Sequence, residues 1–354
     1  MNHFVTPTVK TITQAHINPT IRAKIFSVGT YLPDQIVSSD NIMQEVHSDR
    51  DYGLPCDWMS KEMGIKERRM APDEFKPSDL AIRAVREAID NCSSVRPDQI
   101  DAVIFCGIER DQPEPATAHT VQNALGLRAH HVFDVAKACY GFVDGLKLAT
   151  ALIETGMINY ALVVTGEVPT KVLKAVVEMM KKGLSAEKAR NMWGMLSVGD
   201  AGGAMLVGRS INTTSGFRAF NQRCDSRQVD RCRYRFNQDG TVDGQMQMAQ
   251  IVARGFQLNK KMFDETLDML GWDSLDWVLT HQTGKRTFQQ VLTLKSINKK
   301  KLVRTYPKLG NITSATLPIS FKKLLQYNQV KSGDRIGGLF AGSGLVTGQF
   351  GYVV

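Results

Sequence analysis

Hydrophobic positions along the chain follow two different spacings. Short apolar runs typical of buried strands occur at residues 23–31, 100–107, 131–135, 161–166, 204–208, 277–280, 336–341 and 349–353. Apolar residues at helical spacing occur between them, at residues 78–90, 116–125 and 256–270. Ser78 is the expected N-cap of the first of these helices. Because strand and helix alternate throughout, we expect an α/β architecture with covered sheets.

A charged stretch at residues 170–191 interrupts this alternation. Its pattern predicts two short helices broken at Gly183, with Ser185 capping the second. We interpret it as a helical hairpin inserted over one face of the molecule. It could serve as a lid, as a dimer contact or as surface decoration.

Length and composition are typical of a cytosolic α/β protein. The 354 residues allow one large domain or two ordinary ones, and 43% of them are hydrophobic. No apolar run reaches the roughly 18 residues that a membrane span needs. Residues 1–22 lack the apolar segment of a signal peptide. We expect them to form a loose or partner-packed extension.

One of the six cysteines has a sequence context that indicates chemistry. The cysteines contain no C-x-x-C pair, so neither a zinc site nor a disulfide framework is expected. Cys139 follows the strand at 131–135 and precedes apolar residues at helical spacing. This predicts a thiol at the first turn of a buried helix, where free N–H groups and the helix dipole favour a thiolate. We therefore expect Cys139 to ionise more readily than a free cysteine and to act as a nucleophile.

Two polar residues are candidate partners of this thiol. His281 follows the apolar strand at 277–280, and active groups often lie at strand ends in α/β folds. Asn311 follows a glycine, which alone indicates only a turn. Taken singly, each residue fits a structural role as well as a catalytic one. Glycine-rich turns at 199–203 and 341–344 lie beside strands.

The net charge of +9 is concentrated in basic clusters at residues 181–182, 231–235, 260–261 and 299–301. These clusters are either solvated surface or a docking face for an anionic partner. The chain has no zinc finger, no RNP-like motif and no interleaved aromatic residues, which argues against nucleic acid. A phosphate-bearing thioester carrier suits a buried thiol better.

The order and spacing of these motifs resemble the thiolase superfamily, and most closely its 3-oxoacyl-acyl-carrier-protein synthase III branch. The resemblance covers residues 23–354 and includes the segments 29–33, 64–69 and 331–334 together with Trp58. It implies a duplicated five-layer αβαβα thiolase fold in a homodimer. The N-terminal half at 23–209 would carry the nucleophile and the helical insertion, and the C-terminal half at 210–354 would carry His281 and Asn311.

The resemblance also implies the roles of the site residues. Cys139 accepts an acyl group from a thioester. His281 and Asn311 then bind the carbonyl oxygen of a second thioester and stabilise its enolate, which attacks acyl-Cys139 in a Claisen condensation. The backbone N–H groups of Cys139 and Ser343 form the oxyanion hole for acyl transfer. No metal and no cofactor is implied beyond acyl thioesters on carrier protein or coenzyme A, and the kinetics are expected to be ping-pong.

Glu114 departs from the pattern of the family's initiating enzymes, which carry an aromatic residue about 25 positions before the cysteine. In family dimers this segment reaches the partner's acyl pocket. A carboxylate there resembles the head-to-head acyl-condensing enzymes of bacterial olefin synthesis and the α-pyrone-forming ketosynthases. The resemblance implies that Glu114 deprotonates the α-carbon of the second acyl chain, with its pKa raised by an apolar pocket. Alternatively, Glu114 points to solvent, and Glu109 is a rival base if the loop is shifted.

Other departures concern the size and the loading of the pocket. Ala341 stands where the initiating enzymes usually have Phe, and Thr347 where they often have Trp, which leaves room for a larger second substrate. Ser343 replaces a glycine of the oxyanion turn. Glu62 occupies the position of the arginine that clamps adenine, which favours carrier-protein substrates over coenzyme A.

Lys285 and Arg286 match the positions at which the family docks its acidic carrier. Together with Trp58 they form the predicted carrier or coenzyme A contacts, although ordinary surface charge is an alternative interpretation of both cations.

The sequence therefore predicts a cytoplasmic acyltransferase of the ketosynthase type that joins two acyl or β-ketoacyl thioesters in secondary-metabolite or specialised lipid synthesis. One alternative is an ordinary decarboxylative 3-oxoacyl-carrier-protein synthase III in fatty-acid initiation. Others are acyl transfer to an alcohol or amine, and a non-catalytic acyl-binding protein. The expected partners are acyl carrier protein or acyl-CoA and a second copy of the chain, without nucleic acid or membrane span.

Overall fold

The computed structural model describes residues 12–13, 20–295, 297, 299–327 and 329–354. The strands are β1 (Ile12–Thr13), β2 (Arg22–Tyr31), β3 (Gln35–Ser38), β4 (Glu67–Met70), β5 (Ala102–Phe105), β6 (His131–Asp134), β7 (Tyr160–Glu167), β8 (Ala201–Ser210), β9 (Gly216–Cys224), β10 (Cys232–Phe236), β11 (Val242–Met246), β12 (Trp277–Thr280), β13 (Arg335–Gly342) and β14 (Val346–Val353). The helices are α1 (Ser39–Glu45), α2 (Ser48–Tyr52), α3 (Trp58–Lys61), α4 (Pro77–Asp90), α5 (Thr117–Ala124), α6 (Gly141–Glu154), α7 (Thr170–Lys181), α8 (Ala186–Met192), α9 (Met248–Leu270), α10 (Lys285–Val291), α11 (Tyr306–Leu309) and α12 (Thr316–Leu325).

Two five-stranded mixed sheets organise the molecule. The first has the order β2-β8-β7-β5-β6 and the second the order β1-β9-β14-β13-β12. Strand β5 runs parallel to β6 and β7, and β12 runs parallel to β13, while the other neighbours are antiparallel. Two smaller sheets pair β3 with β4 and β10 with β11.

Helices cover both faces of each large sheet. Helices α6 and α12 lie between the two sheets, and the largest core cluster is formed there by apolar side chains of both sheets. Helices α4 and α5 pack on the outer face of the first sheet, and α9 packs on the outer face of the second. This gives the layer order αβαβα.

The central helix α6 is largely buried because most of its residues are apolar or small. Phe142, Leu146 and Ala149 are at most 1% exposed. Gly145 faces β5 so closely that a Cβ atom there would lie 2.4 Å from the Cys106 sulfur. A glycine is therefore required for the helix to reach this depth, which fixes the position of the turn that precedes α6.

The two helices predicted at 170–191 are confirmed as α7 and α8, and the Ser185 hydroxyl accepts a hydrogen bond from the Lys188 N–H at 3.4 Å. The apolar face of α7, including Val172 and Val176, is buried against Ile42 of α1 and its neighbours. Strands β10 and β11 form a hairpin, which we call the β10–β11 hairpin. It packs on the same apolar cluster as α7. This segment is therefore a packed layer and not surface decoration.

The structure corrects one predicted cap and adds elements that the pattern did not indicate. Helix α4 begins at Pro77 with Lys76 as N-cap, and the Ser78 N–H instead donates to the Asp111 carboxylate at 3.0 Å. Strand β9 and the two small sheets were not expected. Strand β1, within the predicted extension, pairs with β9 at the edge of the second sheet, while residues 1–11 and 14–19 lie outside the described residues. Among the described helices, none has the combination of length and apolarity that crossing a bilayer requires.

Candidate active site

A cavity of about 650 Å³ brings the three principal candidates together. Cys139, His281 and Asn311 all line it, although each comes from a different part of the chain. Most of the remaining wall is apolar and includes Val172 of α7 and Ile251 of α9. Pockets of this size that are apolar with a few convergent polar groups are typical of small-molecule sites.

Cys139 lies in a strained turn ahead of the central helix, not in the first helical turn as the sequence predicted. The turn is a short 3₁₀ segment at Ala138–Tyr140, and α6 begins at Gly141. Ala138 has a φ of 47°, in the left-handed region that costs a residue with a side chain about 1 kcal/mol. Strained residues of this kind persist where the surrounding structure holds them, and both Ala138 and Cys139 line the cavity.

The second glycine-rich turn approaches this cysteine turn at backbone distance. A Cβ atom on Gly342 would lie 2.9 Å from the Tyr140 nitrogen and 3.2 Å from the Lys137 oxygen. Ser343, the next residue, lines the same cavity as Cys139. The proximity of the two turns fits the predicted oxyanion hole. The role of Ser343 in it stays a prediction.

The electrostatics at Cys139 differ from the sequence expectation. Burial is the main cause that raises the pKa of the Cys139 thiol, and the nearby Cys232 and Glu167 raise it further. The free thiol is therefore harder to ionise than an exposed cysteine, not easier. The low-dielectric surroundings outweigh the favourable helix end, so the proton leaves only when a substrate or a neighbouring group compensates for the charge.

His281 follows β12 and is held by its backbone, whose N–H donates to the Leu339 oxygen at 3.1 Å. Burial lowers its pKa to about 4, so the imidazole is neutral near pH 7. Among the described residues its buried Nδ1 has no hydrogen-bond partner. The histidine is thus available as a neutral donor or proton acceptor.

Asn311 is fixed by three hydrogen bonds. Its N–H donates to the Ser197 oxygen at 2.8 Å, and its carbonyl accepts from the Gly199 N–H at 3.1 Å. The side-chain oxygen accepts from the Thr313 N–H at 3.1 Å. Since this oxygen is occupied, the side-chain NH₂ group is left as the donor for a ligand. Thr313, with a φ of 49°, is a second strained residue that lines the cavity.

Glu167 is a buried carboxyl group that the sequence did not single out. It ends β7, accepts hydrogen bonds from the Ile108 N–H at 3.3 Å and the Thr165 hydroxyl at 3.2 Å, and pairs closely with the Ser314 hydroxyl. Burial raises its pKa to about 7. It therefore ties the loop after β5 to the loop that carries Asn311. A polar residue closing an apolar strand was the only signal for it in the sequence.

The two candidate carboxylates are in different places. Glu114 is exposed and does not line the cavity of its own chain. This is compatible both with a partner's pocket and with a solvent-facing loop, and its role stays a prediction. Glu109 does line the cavity, and burial raises its pKa.

Ala341 and Thr347, the two small residues expected to enlarge the pocket, lie on adjacent strands. Ala341 lines the cavity and pairs across the sheet with Thr347. Thr347 is fully buried and its hydroxyl donates to the Phe340 oxygen at 3.2 Å, but it does not itself line the cavity.

The predicted carrier contacts lie close together outside the cavity. The Lys285 N–H donates to the Met63 oxygen at 2.7 Å, which joins the start of α10 to the segment after α3 and Trp58. Lys285 and Arg286 are exposed, and they stand between Thr283 and Thr287, which line the cavity. The geometry thus puts two cations beside the wall of the cavity.

The β10–β11 hairpin forms part of the cavity wall, whereas the sequence indicated only a basic cluster at residues 231–235. Cys232 and Tyr234 line the cavity together with Ser343. The signal was present in the period-two alternation of residues 232–236 followed by Asp239-Gly240, a dipeptide that favours tight turns. Among the described residues, no group of His, Cys, Asp and Glu side chains is arranged to hold a metal ion.

The chain is similar in sequence to known condensing enzymes. The family model of 3-oxoacyl-[acyl-carrier-protein] synthase III matches residues 133–226, and the model of its C-terminal region matches residues 257–350. The chain is 30% identical over 300 residues to the acyl-CoA:acyl-CoA alkyltransferase of Xanthomonas campestris, covering 83% of this chain and 87% of that protein. It is 27% identical to the β-ketoacyl-[acyl-carrier-protein] synthase III of Clostridioides difficile, covering 92% and 97% of the two chains.

Solved structures agree with the sequence relatives. A variant of Xanthomonas campestris OleA with bound lauric acid and lauroyl-CoA superposes with a TM-score of 0.87 at 27% identity, covering 94% of this chain and 99% of that chain. Cerulenin-bound OleA gives a TM-score of 0.86 at 28% identity, covering 94% and 97%. The layer order, the cavity and these matches confirm the predicted thiolase fold. The chain belongs to the 3-oxoacyl-acyl-carrier-protein synthase III family of ketosynthases and is an acyltransferase.

Proposed function

We propose that this enzyme joins two acyl thioesters in a Claisen condensation through an acyl-Cys139 intermediate. The observation that carries the proposal is the single cavity that Cys139, His281 and Asn311 share with an apolar wall. An apolar wall suits acyl chains, and the three polar groups suit the chemistry at their thioester ends. The similarity to the acyl-CoA:acyl-CoA alkyltransferase supports a reaction between two acyl groups.

In the first half-reaction the Cys139 sulfur attacks the thioester carbonyl. A new carbon–sulfur bond forms, the bond to the carrier thiol breaks, and the Cys139 proton passes to the departing thiolate. Because burial raises the pKa of Cys139, this proton transfer is coupled to attack and does not precede it. Neutral His281, which lines the same cavity, is the proposed proton relay.

In the second half-reaction an enolate forms from the second thioester and attacks acyl-Cys139. The Asn311 amide and the His281 N–H are the donors for the enolate oxygen, and both are held by their backbones before substrate arrives. Attack forms the carbon–carbon bond and releases the Cys139 thiolate, which regains the proton lost from the α-carbon.

We propose Glu114 of a partner subunit as the base that removes this α-proton, in a homodimer. Its exposure in its own chain leaves the carboxylate available to a neighbouring subunit. The second candidate is decarboxylative condensation with a malonyl thioester, which needs no such base. The similarity to β-ketoacyl-[acyl-carrier-protein] synthase III supports this second candidate reaction.

Trp58, Lys285 and Arg286 are the proposed contacts for the thioester carrier. Two exposed cations beside the cavity fit the phosphates of coenzyme A or the acidic surface of a carrier protein. No cofactor beyond the thioester substrates is needed for either half-reaction.

The test combines intact-mass analysis with product analysis. The protein is incubated with a panel of acyl-CoA and acyl-carrier-protein thioesters. We expect an acyl adduct in the wild type that is absent in Cys139→Ser, and a β-keto condensation product. Glu114→Gln should keep the adduct and lose the product.

The matched control is Glu187→Gln, which changes another exposed carboxylate that does not line the cavity and should leave both readouts unchanged. Absence of any adduct in the wild type would contradict the proposed function. Intact condensation in Glu114→Gln would instead exclude Glu114 as the base, and product formation only with a malonyl thioester would establish the decarboxylative reaction.

A further inference from the structure

A carboxyl–phenol pair stands in the apolar cavity apart from the three principal residues. The Tyr234 hydroxyl of the β10–β11 hairpin donates to Glu109 Oε1 at 3.0 Å, and both residues line the cavity. Neither residue has a part in the two half-reactions proposed above. A polar pair in an apolar acyl pocket needs a physical reason, because burying polar groups costs free energy.

One carboxyl oxygen of Glu109 is not used by the hydrogen bond to Tyr234. Among the described residues, the Tyr234 hydroxyl is the one hydrogen-bond partner recorded for the Glu109 side chain. Two cations close in sequence or space are engaged elsewhere: Arg110 binds the Asp134 carboxylate at 3.2 Å, and Lys171 donates to the Phe75 oxygen at 2.9 Å. The second carboxyl oxygen of Glu109 is therefore available to a ligand in the cavity.

The backbone next to Glu109 is held by Glu167, the buried carboxyl group that ends β7. Its carboxylate accepts from the Ile108 N–H, next to Glu109, and it also ties down the loop that carries Asn311. Cys139, Glu109 and Tyr234 all line the same cavity. An acyl chain bound to the Cys139 sulfur therefore extends into the cavity that contains this pair.

We propose that Glu109 and Tyr234 form a recognition site for a hydroxyl group on the acyl chain that is loaded on Cys139. This inference rests on the proposed function. A hydroxyl group can donate to a carboxylate, accept from a carboxylic acid and accept from a phenol, so it fits the pair in either protonation state of Glu109. A plain alkyl chain in the same place leaves the carboxyl oxygen unsatisfied, which makes the pair a specificity determinant for hydroxyacyl thioesters.

The test measures the rate of Cys139 acylation by intact mass, before any condensation. The probes are decanoyl-CoA and a series of hydroxydecanoyl-CoA thioesters that carry the hydroxyl at successive carbons. We expect the wild type to acylate faster with at least one hydroxyl position than with decanoyl. Glu109→Leu should lower this preference about tenfold, which corresponds to one lost hydrogen bond to a buried polar group.

Two further variants separate recognition from folding. Glu109→Gln keeps hydrogen-bonding capacity and should retain most of the preference, while Tyr234→Phe removes the group that orients Glu109 and should weaken it. Val229→Ala, an exposed position just before the hairpin, is the control and should behave as wild type. Thermal unfolding of each variant identifies any loss caused by misfolding.

Several outcomes overturn the inference while leaving the condensation reaction standing. One is wild-type acylation that favours decanoyl over every hydroxyl probe. Another is an unchanged preference in a folded Glu109→Leu protein, and a third is discrimination that appears only in the condensation step. If the wild type forms no acyl adduct with any probe, the proposed function fails as well.

Discussion

At the scale of single residues, burial decides the chemistry of the site. Burial removes water from both Cys139 and His281. It raises the pKa of the thiol and lowers the pKa of the imidazole to about 4. Each is therefore neutral before substrate binds. A neutral pair avoids placing isolated charge in an apolar cavity that has to accept acyl chains.

The raised pKa of Cys139 has a direct consequence for its reactivity with pH. Since the thiolate is the reactive form, alkylation of Cys139 by iodoacetamide should increase about tenfold per pH unit without a plateau up to pH 10. Peptide mass spectrometry follows the labelling, with the exposed Cys224 as an internal control in the same protein. A plateau below pH 8 at Cys139 would show that the thiolate is stabilised after all.

Removing the Asn311 side chain should separate the two half-reactions. Asn311→Ala deletes a donor that is oriented before the enolate forms, so condensation should fall about 100-fold or more. Acylation of Cys139, which does not use this donor, should stay within a few-fold of wild type. Burst-phase adduct formation and steady-state product formation measure the two steps, and an equal fall in both would argue against the assigned role.

At the scale of elements, Asp200, which directly precedes β8, is a structural tie. The glycine-rich turn predicted at 199–203 was wrong for residues 201–203, which belong to β8. The Asp200 carboxylate is 1% exposed and accepts from the Ala71 N–H at 2.8 Å, the Thr170 N–H at 3.0 Å and the Thr170 hydroxyl at 2.5 Å. It thereby joins the chain after β4 to the start of α7. The helical layer that lines one side of the cavity depends on this carboxylate for its position.

Asp200→Ala should lower the free energy of unfolding by about 3 kcal/mol, because it leaves three donors without their acceptor in a buried place. Asp200→Asn keeps one acceptor oxygen and should cost about 1 kcal/mol. Chemical denaturation monitored by circular dichroism measures both. Equal stability of the alanine variant and the wild type would contradict the proposed tie.

Elements with a strong period were predictable from the sequence, and those decided by tertiary pairing were not. Strand β12 lies at the predicted residues 277–280, and the nucleophile, histidine and asparagine found in one cavity were all among the predicted site residues. Strand β9 was missed because polar residues occupy much of its length, and its pairing with β14 stabilises it. The thiol's pKa was predicted in the wrong direction because local sequence reports the helix end but not the depth of burial.

At the scale of the whole molecule, the proposed dimer makes the position of Glu114 testable. A mixed dimer can be made by co-expressing one chain that carries Cys139→Ala with another that carries Glu114→Ala. If Glu114 acts on the partner's site, one site of each mixed dimer has both groups. Random assembly should then restore about a quarter of wild-type activity, since half the dimers are mixed and each has one complete site.

Each variant chain assayed alone provides the control, and both should be inactive in condensation. If Glu114 acted within its own chain, the mixed dimers would be inactive too. An active Glu114→Ala homodimer would mean that this carboxylate is not the base.

The basic surface beside the cavity should matter for one class of carrier. Reversing charge with Lys285→Glu and Arg286→Glu together should raise the KM for acyl-carrier-protein substrates about tenfold or more, because an acidic carrier would then meet repulsion. The KM for a short acyl thioester without phosphates should not change. Lys260→Glu, an exposed lysine on α9 outside the cavity wall, is the matched control, and an identical response from it would show a nonspecific charge effect.

The β10–β11 hairpin pairs with neither of the large sheets, although it forms part of the cavity wall. Mutations in it should therefore disturb the folding of the core less than changes in the strands and helices that carry the cysteine, histidine and asparagine. Selection for new acyl chains could act on this segment step by step while the condensing chemistry is retained. The hairpin is accordingly the first place to diversify in a library aimed at altered products, and a natural place to look when sister enzymes make different ones.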